Sequence, residues 1–126
     1  MTGAVEYIEP QQLAAAIRHP SSNLVVVDVR DEDFPGGHIR GAVNIPAALW
    51  ADQHIDGLIE EHRLLDRDMV VVHCMFSQQR GPRTALRLHK HLQDRGGIHP
   101  TVYVLRGGWT NFHRLYRGEK DLVELD

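Results

Sequence analysis

One segment of this 126-residue sequence combines residue types suited to nucleophilic chemistry on an anion. It reads His-Cys-Met-Phe-Ser-Gln-Gln-Arg-Gly-Pro from His73 to Pro82 and contains Cys74, the one cysteine of the chain. A cysteine attacks as the thiolate, and positive potential lowers the pKa of a cysteine thiol. The segment offers three sources of such potential: the N-terminus of a following helix, Arg80, and His73 directly before the cysteine. It therefore predicts a reactive cysteine rather than an inert buried one.

Residues 74–80, here called the cysteine loop, are expected to surround a tetrahedral oxyanion. Their backbone N–H groups can curl inward as an anion nest, and Arg80 adds a planar fork that grips two oxygens. The expected oxyanion-binding residues are Met75, Phe76, Ser77, Gln78, Gln79 and Arg80. Cys74 would attack the central atom while Arg80 and the amides stabilise the equatorial oxygens. Ser77 is expected to hydrogen-bond the thiolate or assist hydrolysis of the covalent intermediate, and Pro82, after Gly81, suits a first helical turn.

Short apolar runs alternate with helical patterns along the rest of the chain. The runs predict strands over residues 24–27, 69–72 and 101–105. Helical spacing predicts four helices: from Pro10, over residues 55–62, from Pro82 to Gly96, and after Gly108. This alternation predicts an α/β fold with a central, mainly parallel sheet and helices on both faces. Ligands bind beyond the carboxyl ends of such strands, which is where Cys74 follows the run 69–72.

Composition limits the classes of function. Residues 1–126 are the length of one domain, with residues 118–126 expected as a frayed acidic tail. The net charge of -3 and the lack of a basic run argue against nucleic-acid binding. No apolar run is long enough to span a membrane, so we expect a cytoplasmic protein that can also enter the nucleus. The nine histidines form no convincing ligand set with Cys74, and no metal is expected; the sequence does not indicate an oligomeric state.

Three further motifs, together with the cysteine loop, resemble the rhodanese superfamily nearly end to end. The first is Val-Val-Asp-Val-Arg at residues 26–30, and the second is Gly-His-Ile-Arg-Gly-Ala-Val-Asn-Ile-Pro at residues 37–46. The third is Val-Leu-Arg-Gly-Gly-Trp at residues 104–109. The resemblance implies the rhodanese-like fold. Asp28 and Arg30 of the first motif are interpreted as residues that brace the cysteine loop.

The length of the cysteine loop separates branches of this superfamily. Five residues lie between Cys74 and Arg80, whereas sulfurtransferases typically have one fewer. The string is similar to the cell-division-cycle dual-specificity phosphatases and the related eukaryotic arsenate reductases, especially small single-domain fungal and plant members. This implies a phosphatase acting on phosphorylated proteins without a cofactor. The alternative is an arsenate reductase that acts on a small oxyanion with glutathione or glutaredoxin as external reductant; sulfurtransfer and non-catalytic binding of phosphorylated partners are less favoured.

The chain departs from those phosphatases at two places. Their loop carries acidic residues where Met75 and Gln79 stand here, so no general acid is assigned within the loop. Asp31, Glu32 and Asp33 follow Arg30, but the sequence does not place them relative to Cys74. A second cysteine of the phosphatases corresponds to Val29, so oxidised Cys74 is expected to require an external thiol.

Overall fold

The computed structural model describes residues 5–125. Elements are numbered in chain order. The strands are β1 (Glu6–Ile8), β2 (Leu24–Asp28), β3 (His38–Ile39), β4 (Val43–Asn44), β5 (Met69–His73), β6 (Thr101–Leu105) and β7 (Val123–Glu124). The helices are α1 (Pro10–Arg18), α2 (Asp52–Glu61), α3 (Arg80–Arg95) and α4 (Gly108–Tyr116), with short 3₁₀ turns at Ala47–Leu49 and Leu64–Asp66.

The central sheet is parallel and has the strand order β1-β6-β5-β2-β4. Its middle strands β2 and β5 are valine-rich and almost wholly buried, as expected for strands covered on both faces. Asp28 pairs in register with His73, so the ends of β2 and β5 lie side by side. The predicted parallel sheet is confirmed, and Cys74 leaves it at its carboxyl edge.

Helices cover both faces of this sheet, as predicted. On one face, α2 and α3 bury Ile55, Ile59, Leu88 and Leu92 against alternate valines of the strands. On the other face, α1 and α4 bury a second apolar cluster that includes Phe112. Helix α3 therefore packs firmly along the sheet, and its first turn is fixed beside the end of β5.

The structure adds four strands that the sequence patterns do not predict. β1 and β4 form the two edges of the sheet, and β3 pairs antiparallel with β7. Each is two or three residues long, too short to show an apolar run. The helix boundaries differ less: α3 begins at Arg80, before the Gly81–Pro82 pair, and His62 caps α2 rather than lying within it.

The expectation that residues 118–126 are frayed is wrong for residues 118–125. Leu122 and Val123 are buried, because they complete the apolar cluster between α1 and α4. Arg18 of α1 forms ion pairs of 2.7 Å with both Glu119 and Asp121. Asp126 lies outside the described residues. Within the described residues, no helix is both long and apolar enough to cross a bilayer.

Candidate active site

Cys74 lies at the floor of the site, directly after β5, and is 3% exposed. Its Sγ accepts hydrogen bonds from the backbone N–H groups of Ser77 and Gly81, each at 3.2 Å. Ser77 adopts a left-handed conformation with φ 54°, which turns its N–H back toward the sulfur. The cysteine loop thus curls around Sγ, and two amide dipoles stabilise negative charge there.

The first turn of α4 holds the start of the cysteine loop. The N–H of Trp109 donates to the carbonyl of Cys74, and the N–H of Thr110 donates to the carbonyl of Met75, both at 3.0 Å. These otherwise unpaired helix-end amides draw two loop carbonyls toward α4. The first two carbonyl oxygens of the loop, whose partial negative charge would repel an anion, are therefore paired with α4.

Two glycines permit this close packing. A Cβ on Gly108 would lie 2.5 Å from the carbonyl oxygen of Cys74 and 2.7 Å from that of Met75, and Gly108 has φ +63°. A Cβ on Gly81 would lie 3.2 Å from the backbone nitrogen of Cys74. Gly81 thus lets α3 approach the sulfur, and half-buried Pro82 follows within the first turn.

Arg80 opens α3 and faces the loop that follows β2. Residues 31–37, here called the acidic loop, supply Asp33, whose two carboxylate oxygens accept from Nη1 at 3.1 Å and Nη2 at 2.7 Å of Arg80. Asp31 lies farther away, at 3.4 Å from Nη1. Hydrogen bonding from Arg80 lowers the pKa of Asp33 to about 2, and Asp33 in turn raises the pKa of Arg80. Asp33 is therefore an ionised partner of Arg80 at neutral pH.

The cavity above the sulfur is open and about 310 Å³ in volume. It is lined by Cys74, Phe76, Gln78, Gln79 and Arg80. Phe76 is 56% exposed at the rim, whereas Met75 packs into the apolar cluster beside α4 and Ser77 is buried. The Oγ of Ser77 has no hydrogen-bond partner among the described residues, so the expected bond to Sγ is absent in this structure.

Asp28 and Arg30 form a buried ion pair beneath the acidic loop. Nη2 of Arg30 lies 2.7 Å from Oδ2 of Asp28, and both side chains are at most 1% exposed. Arg30 also donates to the carbonyls of Asp33 at 3.1 Å and Gly37 at 2.8 Å. Its guanidinium lies 5.0–5.1 Å from the ring centroids of Phe34 and Trp109. The pair directly braces the acidic loop, and it reaches the cysteine loop indirectly, through that loop and through Trp109 of α4.

His73 does not supply the positive potential that the sequence suggests. It is fully buried, and its Nδ1 lies 3.0 Å from the carbonyl of Cys74, which requires Nδ1 to be the donor. Burial lowers the pKa of His73, despite Asp28 Oδ2 at 3.7 Å from Nε2. The ring is therefore neutral and acts as a hydrogen-bond donor to the loop backbone.

Sequence reasoning missed two groups of residues at this site. Asp33 was one of three unplaced acidic residues, and its pairing with Arg80 spans 47 positions. The second group is the first turn of α4, which begins at the second glycine of the Gly-Gly pair. Its hydrogen bonds to the carbonyls of the cysteine loop join residues far apart in the sequence, so no local sequence pattern predicts them. Among residues 5–125, no group of three or more metal-ligating side chains converges.

Comparisons with known proteins agree with this architecture. The model of the rhodanese-like domain family matches residues 9–115. The chain is 32% identical to "Dual specificity phosphatase ibp1" of Schizosaccharomyces pombe, over 97% of this chain and 98% of that protein.

Two solved structures are similar over most of their length. An As-Sb reductase from Leishmania major is 30% identical, with a TM-score of 0.87 over 97% of this chain and 86% of that one. Ygr203w, a yeast protein tyrosine phosphatase of the rhodanese family, is 28% identical, with a TM-score of 0.80 over 98% of this chain and 93% of that one.

Proposed function

This chain belongs to the rhodanese-like domain family, and we propose that within it the protein is a cysteine-dependent phosphatase of the tyrosine or dual-specificity type. The observation that supports this most is the environment of Cys74. Its sulfur accepts two backbone N–H groups at the floor of an open cavity, and Arg80 forms part of the cavity wall. Such a site suits attack on a tetrahedral anion by a thiolate.

In the first step, the Cys74 thiolate attacks phosphorus and the bond to the leaving oxygen breaks. A cysteinyl-phosphate forms, and its oxygens bind to the loop amides and Arg80. In the second step, water attacks phosphorus, the S–P bond breaks and the thiolate is regenerated. The hydroxyl of Ser77, which has no hydrogen-bond partner among residues 5–125, lies in this loop, and we infer that it can donate to the sulfur as the thiolate leaves.

The leaving oxygen needs a proton that this loop does not supply. Met75 and Gln79 carry no acid, and Asp33, with its pKa held near 2 by Arg80, is ionised at neutral pH. We infer that a monoanionic phosphate ester brings the proton itself. Turnover of an aryl phosphate should then fall as pH rises through the second pKa of that substrate, about 6 for a phosphate monoester.

The test is turnover of para-nitrophenyl phosphate by the wild type and by Cys74→Ser. We expect activity in the wild type and a loss of about 10³-fold or more in the variant, since Cys74 is the one nucleophile among the described residues that line the cavity. Matched thermal melting curves control for folding. Residual activity above that level in a folded Cys74→Ser protein would contradict the covalent mechanism.

A second candidate function is arsenate reduction, favoured by the high similarity to the As-Sb reductase. Cys74 would attack arsenic and displace water. A glutathione thiolate would then attack Sγ and break the S–As bond. Arsenic keeps the bonding electron pair and leaves as arsenite, As(III), while a Cys74–glutathione disulfide remains. Because the chain has one cysteine, glutaredoxin or more glutathione must reduce that disulfide.

Measuring arsenite formation with glutathione and glutaredoxin separates the two functions. Turnover of arsenate without turnover of aryl phosphate would assign the reductase. Inactivity in both assays, in a protein that still binds phosphate, would favour a binding module for phosphorylated partners.

A further inference from the structure

The acidic loop contacts Arg80 through two carboxylates: Asp33 makes the two shorter hydrogen bonds, at 3.1 Å and 2.7 Å, and Asp31 makes a longer one at 3.4 Å. We propose that Asp33 is a positioning residue, which holds the Arg80 guanidinium against the catalytic cavity so that one edge of it stays available to the oxyanion. The inference rests on the proposed function, because it assigns Arg80 to oxyanion binding.

The geometry of the pair shows whether Asp33 leaves the Arg80 guanidinium able to bind an oxyanion or blocks it. Asp33 engages the two terminal nitrogens of Arg80, at 3.1 Å and 2.7 Å, and so occupies the end of the guanidinium. The hydrogen bonds that the Arg80 side chain makes within residues 5–125 come from Nη1 and Nη2, not from Nε. In this paired state Arg80 still lines the cavity, whereas Asp33 does not. The Nε–Nη2 edge therefore remains for a second, bidentate contact.

Asp33 is itself fixed from the opposite side. Arg30 donates to its backbone carbonyl at 3.1 Å, and the N–H of Asp31 donates to its Oδ1 at 3.1 Å. Arg30 is in turn anchored by buried Asp28 at the end of β2. A continuous series of contacts thus joins Asp28, Arg30, Asp33 and Arg80, and it connects the sheet to the first residue of α3.

Stability alone is a poor explanation for this pair. The side chains of Arg80 and Asp33 are 33% and 29% exposed, and ion pairs with such access to water contribute little to folding. An unpaired arginine at the mouth of an open cavity would instead sample several rotamers, which must be frozen when an oxyanion binds. Asp33 removes that freedom in advance.

The experiment compares Asp33→Asn, Asp33→Glu and Glu32→Gln with the wild type. Asn keeps an acceptor for the N–H of Asp31, so the acidic loop should retain its shape while the charge is lost. Glu32 is exposed in the same loop, and the carboxylates bonded to Arg80 among residues 5–125 are those of Asp31 and Asp33. Glu32→Gln therefore removes one negative charge from the loop and leaves the bonds to Arg80 in place. Each protein is assayed with para-nitrophenyl phosphate, and tungstate binding is measured by calorimetry in the Cys74→Ser background.

We expect Asp33→Asn to lower kcat/KM roughly 10- to 100-fold and to weaken tungstate binding. The reason is that a guanidinium displaced from its position stabilises the bound oxyanion and the transition state less well. Asp33→Glu should recover most of both quantities, and Glu32→Gln should stay within about twofold of the wild type. Unchanged tungstate affinity in a folded Asp33→Asn protein would overturn the proposal. Tighter tungstate binding would also overturn it, by making Asp33 a competitor for Arg80.

The binding measurement does not depend on turnover. If no protein hydrolyses the ester but tungstate binding weakens in Asp33→Asn, the positioning role holds and the phosphatase assignment fails. If turnover is normal but neither quantity responds to Asp33→Asn, the phosphatase assignment holds and the positioning role fails.

Discussion

At the scale of single residues, the site depends on the positions of backbone N–H and C=O groups. Those positions are set in part by glycines, which have no side chain to take part in the chemistry. Gly108 is the strongest example. The carbonyls of Cys74 and Met75 occupy the space that a side chain at Gly108 would need, at 2.5 Å and 2.7 Å. Its role is thus to let the first turn of α4 reach the loop and take up those carbonyls.

Gly108→Ala should therefore lower activity strongly, although the substitution adds only one methyl group. The new Cβ must push the cysteine loop or α4 away, and the left-handed φ adds about 1–2 kcal/mol of backbone strain. We expect kcat/KM for an aryl phosphate to fall roughly 100-fold with a displaced loop. Gly97→Ala is the matched control, since Gly97 has a similar φ of +76° and nothing lies within 4 Å of its Cβ position. Equal activities of the two variants would contradict this role.

His73 makes a prediction about acid stability. Burial lowers the pKa of His73 from 6.5, so the unfolded chain binds a proton at mildly acidic pH that the folded protein does not. The resulting stability is fully present above pH 6.5 and is lost as the pH falls below it, by up to about 1.4 kcal/mol per pH unit. His73→Asn, which keeps a donor for the Cys74 carbonyl, should flatten this dependence in urea unfolding between pH 7 and 5, roughly one unit either side of 6.

His54→Asn provides the control for that measurement. His54 is exposed on α2, so His54→Asn makes the same substitution as His73→Asn but at a histidine that is not buried. A pH dependence that is the same in the wild type and in both variants would show that His73 does not cause the loss of stability in acid.

At the scale of elements, the site lies where three segments meet: β5 with the cysteine loop and α3, the first turn of α4, and β2 with the acidic loop. Arg30 touches the last two, because its guanidinium lies 5.0 Å from the Trp109 ring centroid and donates to the carbonyl of Asp33. The same α4 packs against α1 over the cluster that Leu122 completes. The C-terminal segment thus stabilises an element that holds the cysteine loop.

Leu122→Ala should consequently destabilise the fold. Leu122 is fully buried, and deletion of a buried leucine side chain to alanine costs about 2–5 kcal/mol. Leu86→Ala on α3 removes the same atoms from a side chain that is 58% exposed and should change stability by less than about 0.5 kcal/mol. Urea unfolding of both variants measures the difference. A Leu122→Ala protein as stable as Leu86→Ala would contradict this role and would support the expectation that the C-terminal segment is frayed.

At the scale of the whole molecule, the sequence predicts what depends on long buried runs and misses what depends on distant pairing. Met69 to Val72 indicates a central strand because every residue is apolar, and the resemblance to the family follows from contiguous motifs. The two-residue strands β3 and β7 exist only because they pair with each other across the chain. The contact between Asp33 and Arg80 is equally non-local, and the charge state of His73 depends on burial that no local pattern reveals.

The presence of a single cysteine determines how the whole molecule responds to oxidants. Peroxide converts a reactive thiolate to sulfenic acid, which a second thiol can capture before further, irreversible oxidation. Cys74 has no such partner in the chain, because it is the one cysteine of the sequence. Protection must therefore come from outside, through the open cavity above the sulfur.

We expect peroxide in the presence of glutathione to give a Cys74–glutathione disulfide, detected by intact mass and reversed by dithiothreitol with full recovery of activity. Peroxide alone should give sulfinic and sulfonic acids, and glutathione added afterwards should restore little activity, because those states are not reduced by thiols. The Cys74→Ser protein should form no adduct under either condition. Full recovery after prolonged exposure to peroxide alone would instead mean that the folded chain protects its own sulfur, for which the two amides bonded to Sγ, those of Ser77 and Gly81, are the nearest candidates.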